Sequence, residues 1–447
     1  MSSLPVTIVG AGLAGSECAW QLARRGHAVR LYEMRPAVRT AAHQTDRCAE
    51  LVCSNSFRSD NPLNAVGLLK REMEALDSLI IRCGRSSAVP AGDALAMDRD
   101  VFSRLVTESL ASRPEITLVR EEIRGIPSEG FVVFATGPLT SEALDRALGD
   151  LLGTGDLYFY DSIAPIVSAA SLDFSRMYAL SRYGKGSGED YWNAPLAREE
   201  YEAFVDDLLA AETVPVKDFE KGIYFEGCLP IEVMAERGRE TLRHGPMKPM
   251  GLPDPRTGRI PHAVVQLRQD DLAREHYNLV GFQTKLKVPE QQRVFRRIPG
   301  FENAAFVRYG MLHRNTYIHA PAHLDRLWRM RRQPRLFFAG QITGVEGYVE
   351  SAATGLVVGL SIAQILEGRD PVPVPYETAI GSLARHCSER PPEEKFEPMN
   401  VTFGLIEDTS HSPVRDKAKR RQAMVDRALA AIRGWRDAVS APAMAAS

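Results

Sequence analysis

Residues 6–35 read VTIVGAGLAGSECAWQLARRGHAVRLYEMR, and this stretch decides the fold. An apolar strand, Val6 to Val9, runs into Gly10-Ala11-Gly12-Leu13-Ala14-Gly15. A helical apolar pattern follows through Cys18, Ala19 and Leu22 and stops at Gly26, which suits a left-handed C-terminal cap. A second strand, Ala28 to Tyr32, ends in the acid Glu33. The spacing is that of a dinucleotide-binding unit. Gly10 permits a tight turn, Gly12 lets the backbone approach a pyrophosphate, and Gly15 lets helix and strand pack closely. The helix N-terminus, around Leu13 and Ala14, aims free N–H groups at the phosphates. Glu33 is placed to accept hydrogen bonds from a ribose hydroxyl.

A second glycine turn lies far down the chain. Leu336 to Ala339 is a strand-like run leading into Gly340-Gln341-Ile342-Thr343-Gly344-Val345-Glu346-Gly347-Tyr348, and a small-residue helix follows from Ser351 to Leu366. Between the two turns, Phe131 to Ala135 reads as a strand ending at Thr136-Gly137. This return to the nucleotide fold favours FAD over free NAD. The expected architecture is α/β: a mostly parallel, Rossmann-type FAD-binding fold interrupted by an inserted α/β domain, then a helical C-terminal tail. The expected boundaries are 1–160 and 299–370 for the two parts of the FAD-binding domain, 161–298 for the insertion and 371–447 for the tail. Within the insertion, a helix is expected over Arg198 to Glu212 and strands over Ala263 to Leu267 and Asn278 to Phe282. In the tail, Ser412-Pro413 opens a helix that places Val425, Ala428, Leu429, Ile432 and Trp435 on one face.

Hydrophobic content of 44% and charged content of 25% are those of a globular enzyme. The start MSSLPVTIVG lacks the basic and apolar regions of a signal peptide, and no apolar run is expected to reach transmembrane length, so the expected location is cytoplasmic. The six cysteines form neither a disulfide framework nor a CxxC pair, and no metal site is expected. A net charge of −2 gives no global nucleic-acid signature. Basic runs are local: Arg314, Arg326, Arg329, Arg331, Arg332 and Arg335 in one stretch, and Arg415, Lys417, Lys419, Arg420 and Arg421 in the tail. Each is either a solvated helix face or a track for a phosphate backbone.

Two cysteines sit in loops where chemistry is placed. Cys53 lies in ELVCSNSF, just after the first strand–helix–strand unit, and Cys228 lies in FEGCLPIE between Gly and Pro. By contrast, Cys18 falls on the apolar face of a helix and reads as core.

At these residues the chain resembles the bacterial folate- and FAD-dependent tRNA (uracil-5-)-methyltransferases, the TrmFO family. The resemblance runs through GAGLAGSE, ELVCSNSFRSD, FATGPLTS, SRYGKG, DFEKGIYFEGCLPIEVMA, GPMKPMGLPDPRTG, NLVGFQTKLK, RYGMLHRNTYI, FAGQITGVEGYVESAATG and PMNVTFGL. It implies methylation of C5 of the T-loop uridine in tRNA, with methylenetetrahydrofolate as one-carbon donor, FAD as cofactor and NADH or NADPH as reductant. It assigns nucleophilic addition at C6 to Cys53, with Cys228 assisting removal of the C5 proton or serving as its acid/base partner. It places His313 against the pterin; Arg314 and Asn315, next in the chain, carry polar groups for a folate tail, and Glu346 and Tyr348 in the GVEGY turn are either wall residues of that pocket or part of a purely structural turn. Arg182, Arg314, Arg326, Arg329, Arg331 and Arg332 become candidates for contact with the tRNA backbone. No second GxGxxG is present, so the nicotinamide is expected to bind transiently. Alternatives with the same fold are a relative that methylates ribosomal RNA, a wobble-uridine-modifying flavoprotein, and a non-catalytic RNA-binding flavoprotein.

Overall fold

The computed structural model describes residues 4–40, 42–153, 157–214, 229–391, 394, 396–407 and 416–440, with the backbone alone at 157–161, 312–314 and 417. Five strands form one sheet in the order Leu336–Phe338, Val132–Phe134, Val6–Val9, Val29–Tyr32, Ile116–Val119. Every pairing in it is parallel, with Val6 opposite Val29 and Thr7 opposite Val132. Val132–Phe134 and Leu336–Phe338 are continuous apolar runs because both their faces are covered. The expected strands at Val6, Phe131 and Leu336 are therefore neighbours in this sheet.

Two helices rising from the glycine turns, Leu13–Ala23 and Tyr348–Leu366, pack against each other. Glycine allows it: a Cβ at Gly355 would stand 2.1 Å from the Ala14 carbonyl oxygen, and one at Gly359 would stand 2.8 Å from that of Cys18. The second helix corrects one expectation from sequence. At 19 residues it is long and apolar enough to cross a membrane, yet 89% of its most apolar window is buried inside the protein. Its hydrophobicity is that of a core helix with neighbours on all sides.

A second sheet of six strands runs in the order Tyr178–Ala179, Tyr191–Leu196, Ala263–Gln269, His276–Leu279, Ile166–Ser168, Phe306–Arg308. Its pairings are antiparallel. Helices Arg198–Leu209, Ile231–Glu236 and Val288–Phe295 contribute Phe204, Ile231 and Phe295 to one core with it. The first helix ends three residues before the expected Glu212. The expected strand over Asn278 to Phe282 instead occupies His276–Leu279, because Gly281 turns the chain at φ +78°.

Two smaller pieces join these sheets. Leu157–Ser162 pairs antiparallel with Leu312–Tyr317, bringing His313 opposite Asp161. Ser56–Ser59, Ala94–Met97 and Ala88–Val89 form a three-stranded antiparallel sheet directly after Cys53. In the tail, helix Lys417–Ser440 buries Val425, Ala428, Ile432 and Trp435, and partly Leu429, on the expected face. Its expected start at Ser412-Pro413 lies outside the described residues.

Candidate functional site: a dinucleotide crevice beside a thiol

A crevice opens at the carboxyl ends of the parallel strands, lined by Gly10, Gly12, Leu13, Ala14, Glu33, Gly137, Gly340 and Gln341 among others. This is where open α/β sheets bind their ligands. The three glycines of the first turn are needed for three different reasons. Gly10 has φ +104°, and a Cβ there would stand 2.4 Å from the Ala135 carbonyl oxygen. A Cβ on Gly15 would lie 1.8 Å from the carbonyl oxygen of Gly10. Gly12 is the opposite case. Its φ of −72° suits any residue, and its missing Cβ would meet nothing within 4 Å. Neither backbone nor packing asks for glycine there, so the open space above it is room for a ligand. A dinucleotide pyrophosphate at the N-terminus of helix Leu13–Ala23 fits that room.

Ala11 and Gly15 support this wall from behind. The Ala11 N–H donates to Glu33 Oε2 at 3.2 Å, so the second strand's acid closes onto the glycine turn. Glu33 Oε1 accepts from Arg35 Nε at 2.9 Å. Burial pushes the Glu33 carboxyl upward, but its bonds to Arg35 and Ala11 outweigh that and hold it below the usual carboxylate range. Glu33 therefore stays ionised and faces the crevice as an acceptor. At the far wall, Gly340 (φ +83°) comes within 3.0 Å of the Ala14 methyl by its absent Cβ, locking the two glycine turns together.

Cys53 sits at the edge of this crevice, partly exposed, one residue after the lining residue Val52. Its backbone N–H and that of Ser54 both donate to the Tyr348 hydroxyl, at 2.7 and 3.2 Å. The second glycine turn thus holds the cysteine loop in place through one phenol. Burial, and next the charge of Cys53, push the Tyr348 phenol above its ordinary range. It remains a neutral hydroxyl that accepts two N–H groups.

Three guanidiniums lie within electrostatic reach of Cys53. Arg99 donates to the Cys53 carbonyl at 3.3 Å and pairs with Asp270 at 3.1 Å. Arg268 is buried, and donates to Asn55 Oδ1 and Ser54 Oγ, both at 2.8 Å. Arg308 lies within electrostatic reach of Cys53, Tyr348 and Glu50. Burial, reinforced by repulsion from Arg99, pulls Arg268 and Arg308 below the ordinary guanidinium range. Such a field attracts anionic ligands. Lys70 steadies the strand after Cys53 by donating to the Phe57 and Ser59 carbonyls at 2.8 and 2.7 Å, and burial lowers its pKa to about 7.

The other candidate residues divide. Cys228 lies outside the described residues, as do the side chains of His313 and Arg314. The strand that carries them runs past the crevice, since Thr316 N–H donates to the Pro138 carbonyl at 3.0 Å. Asn315 is buried, and its Nδ2 has no partner among the described residues. Glu346 is buried and accepts from Gln341 Nε2 at 2.6 Å. Gly347 (φ +107°) clears the buried Glu350 carboxylate, which pairs with Arg58. Most of the first basic run is committed to the protein itself. Arg326 stacks over Tyr376 at 3.8 Å, Arg329 pairs with Asp325 at 2.9 Å, and Arg331 donates to the Ser388 carbonyl at 2.6 Å. Arg335 donates to the Pro127 carbonyl at 2.8 Å. Among the described residues no group of three or more His, Cys, Asp or Glu stands close enough to hold a metal.

Arg99, Arg268, Arg308 and Asp270 were not legible as site residues in the sequence. Only Arg268 left a trace: a cation in the apolar strand AVVQLRQ, alternating with Leu267 and Val265.

Sheet order, glycine turns and crevice define a dinucleotide-binding α/β protein with a thiol at the rim of its site. A family model described as "Glucose inhibited division protein A" matches residues 5–370. The chain belongs to this family and, within the reach of sequence identity, to the methylenetetrahydrofolate–tRNA-(uracil-5-)-methyltransferases called TrmFO. It is 55% identical to the TrmFO of Geobacter sulfurreducens over 433 residues, which is 96% of this chain and 98% of that one. It is 54% identical to that of Bacillus licheniformis over 428 residues, again 96% and 98%. Among solved structures, Aquifex aeolicus GidA in its form I crystal superposes with a TM-score of 0.70 at 18% identity, covering 97% of this chain and 76% of that one. That likeness speaks for the fold.

Proposed function

We propose that this chain methylates C5 of the T-loop uridine in tRNA, taking carbon from methylenetetrahydrofolate, with FAD as its cofactor and NADH or NADPH as reductant, in the cytoplasm. The observation that carries the reading is identity of 53–55% along nearly the whole length of enzymes named for that reaction. The alternatives of ribosomal RNA, wobble uridine and a non-catalytic role are not favoured.

Gly10, Gly12, Leu13 and Ala14, which line the crevice, would hold the pyrophosphate of FAD, Glu33 would hold its ribose, and Gly137, Gly340 and Gln341 would line the rest of it. Bound FAD, once reduced by NADH or NADPH, would supply the hydride that brings the one-carbon unit to the methyl level. The chain's own thiol makes the uracil reactive. C5 of uracil is too electron-poor to attack a one-carbon donor unaided. The Cys53 thiolate adds to C6, the C5–C6 π pair moves onto the C4 carbonyl, and C5 becomes the nucleophile that bonds the donor carbon. Loss of the C5 proton, assigned to Cys228, expels the folate nitrogen from the transferred carbon and leaves an exocyclic methylene on C5; once that carbon has taken a hydride and become methyl, the C6–S bond breaks and returns the thiolate. Tyr348 and Arg268 keep the Cys53 loop in position, and the three guanidiniums supply a positive field for an anionic substrate. His313, Arg314, Asn315, Glu346 and Tyr348 form the folate side. The orphan amide of Asn315 supports that assignment, since a buried donor without a partner is what a polar ligand satisfies.

The sheets support a two-part organisation. The parallel sheet draws on residues 6–134 and 336–338, and the antiparallel sheet on residues 166–308. On this reading the insertion returns after Arg308, later than the boundary at 298/299 expected from sequence.

The test is a methylation assay on unmodified tRNA transcript with labelled methylenetetrahydrofolate, FAD and NADPH, beside Cys53→Ala. Label is expected in ribothymidine with the wild type and is expected to vanish in the variant. Flavin-loaded wild type that labels no tRNA defeats the reading, and full activity in the variant removes Cys53 from its role.

A further inference from the structure

The loop Ser181–Gly188 lies one step along a strand from the Cys53 pocket. Arg268 and Gln266 are two residues apart on strand Ala263–Gln269, so they share a face roughly 7 Å apart. Arg268 reaches Ser54 beside the thiol, and Gln266 Oε1 accepts from Arg182 Nη2 at 3.1 Å. Arg182 also donates to the carbonyls of Lys248, at 2.8 Å, and Met250, which ties the loop to the segment Pro246–Gly251. Most of the hydrogen-bonding capacity of Arg182 is therefore spent inside the protein. The residue after it is not.

Tyr183 is 68% exposed and holds a left-handed backbone at φ +59°. Non-glycine residues rarely adopt that conformation, and such strain gathers at functional positions. Its ring lies on Gly251, where an added Cβ would stand 2.6 Å from the ring carbons. One face of the ring is thus backed by main chain and the rest is open to solvent. Lys248 and Met250 flank it, both exposed, and Lys185 nearby pairs with Asp93 at 2.6 Å. Of the adjoining acids, Asp190 is engaged by the Gly92 N–H at 2.6 Å, and Glu189 is exposed.

A uridine in a folded loop must leave its stack to reach a thiol, and its departure uncovers the face of a neighbouring base. An aromatic ring braced on main chain replaces that lost stacking without regard to which base it is. We infer that Tyr183 stacks on a base adjacent to the uridine drawn to Cys53, with Lys248 against the phosphate backbone of the same stretch. This deepens the tRNA reading above and rests on it.

The test uses flavin-loaded, full-length protein with tRNA transcript and with a T-arm hairpin carrying 2-aminopurine next to the target uridine. Wild type is expected to quench the 2-aminopurine on binding. Tyr183→Ala is expected to lose the quench and to raise KM for tRNA by about tenfold with kcat within about threefold. Tyr183→Phe should behave as wild type, since the ring and not the hydroxyl does the stacking. Lys248→Ala should keep the quench and reduce the salt slope of binding by about one. A Tyr183→Ala enzyme with wild-type KM and quench overturns the inference, as does a Phe variant as impaired as Ala. Wild type that neither binds nor methylates tRNA defeats the parent reading, a result distinct from either of these.

Discussion

The nucleotide crevice and the thiol pocket adjoin, yet they are built from different material. The crevice is made of backbone: three glycines, a helix N-terminus and one carboxylate, all within residues 10–33, answered by Gly340 across the sheet. The pocket is made of side chains that meet only in the fold. Cys53 is held by Tyr348 from 295 residues away, and the adjacent Ser54 by Arg268 from 214. Main-chain sites leave a spacing in the sequence because only certain residues permit the path. Side-chain sites leave none, because an arginine in a strand is written the same way whether it faces water or a thiol.

The comparison breaks most readily at Gly15 and Gly12. Gly15→Ala should drive a methyl into the Gly10 carbonyl, cost about 3 kcal/mol and lower both Tm and flavin content. Gly12→Ala meets nothing in the protein, so it should leave the Tm of the flavin-free chain unchanged and weaken flavin binding alone. Equal loss of Tm in both variants would erase the distinction between packing glycine and ligand glycine. Flavin absorbance per mole of protein and a thermal melt read the two effects.

Arg268→Leu probes the pocket side. It removes the donors to Asn55 Oδ1 and Ser54 Oγ, worth about 1–3 kcal/mol, and should lower kcat by about tenfold or more with flavin content intact. Loss of flavin in this variant would mean that crevice and pocket are one unit.

The smallest effect is an acid sensitivity on the crevice side. His43 lines the crevice, and burial, then Arg35, lower its pKa from 6.5 to about 4 against the pull of Glu50 and Glu33, with Arg308 adding to the repulsion. Between those values the unfolded chain binds more protons than the folded one. The contribution of His43 is therefore complete above pH 6.5 and lost as pH falls through 4, at no more than about 1.4 kcal/mol per pH unit. Thermal melts across this range should show a shallower slope in His43→Gln. A slope equal to wild type would place the acid sensitivity elsewhere.

The two glycine turns, the strand at Phe131 and the tail helix face were all legible, each from a run of local spacing. Strand ends were less so: Gly281 cut the strand expected to reach Phe282, and a buried helix carried the hydrophobicity of a membrane span. The basic run from Arg326 to Arg335 read in sequence as either a solvated helix face or a phosphate track, and most of its guanidiniums bond to the protein's own carbonyls and carboxylates. Charge counts alone do not say what a cation faces.

The amino-acid sequence by itself determined the nucleotide fold, the crevice and the loop that bears Cys53, because backbone conformation is a local property of residue type. Tertiary structure alone decided that Arg99, Arg268 and Arg308 gather around Cys53 and that Tyr348 holds its loop. Electrostatic fields and hydrogen bonds act through space, and chain order does not encode distance between residues hundreds of positions apart.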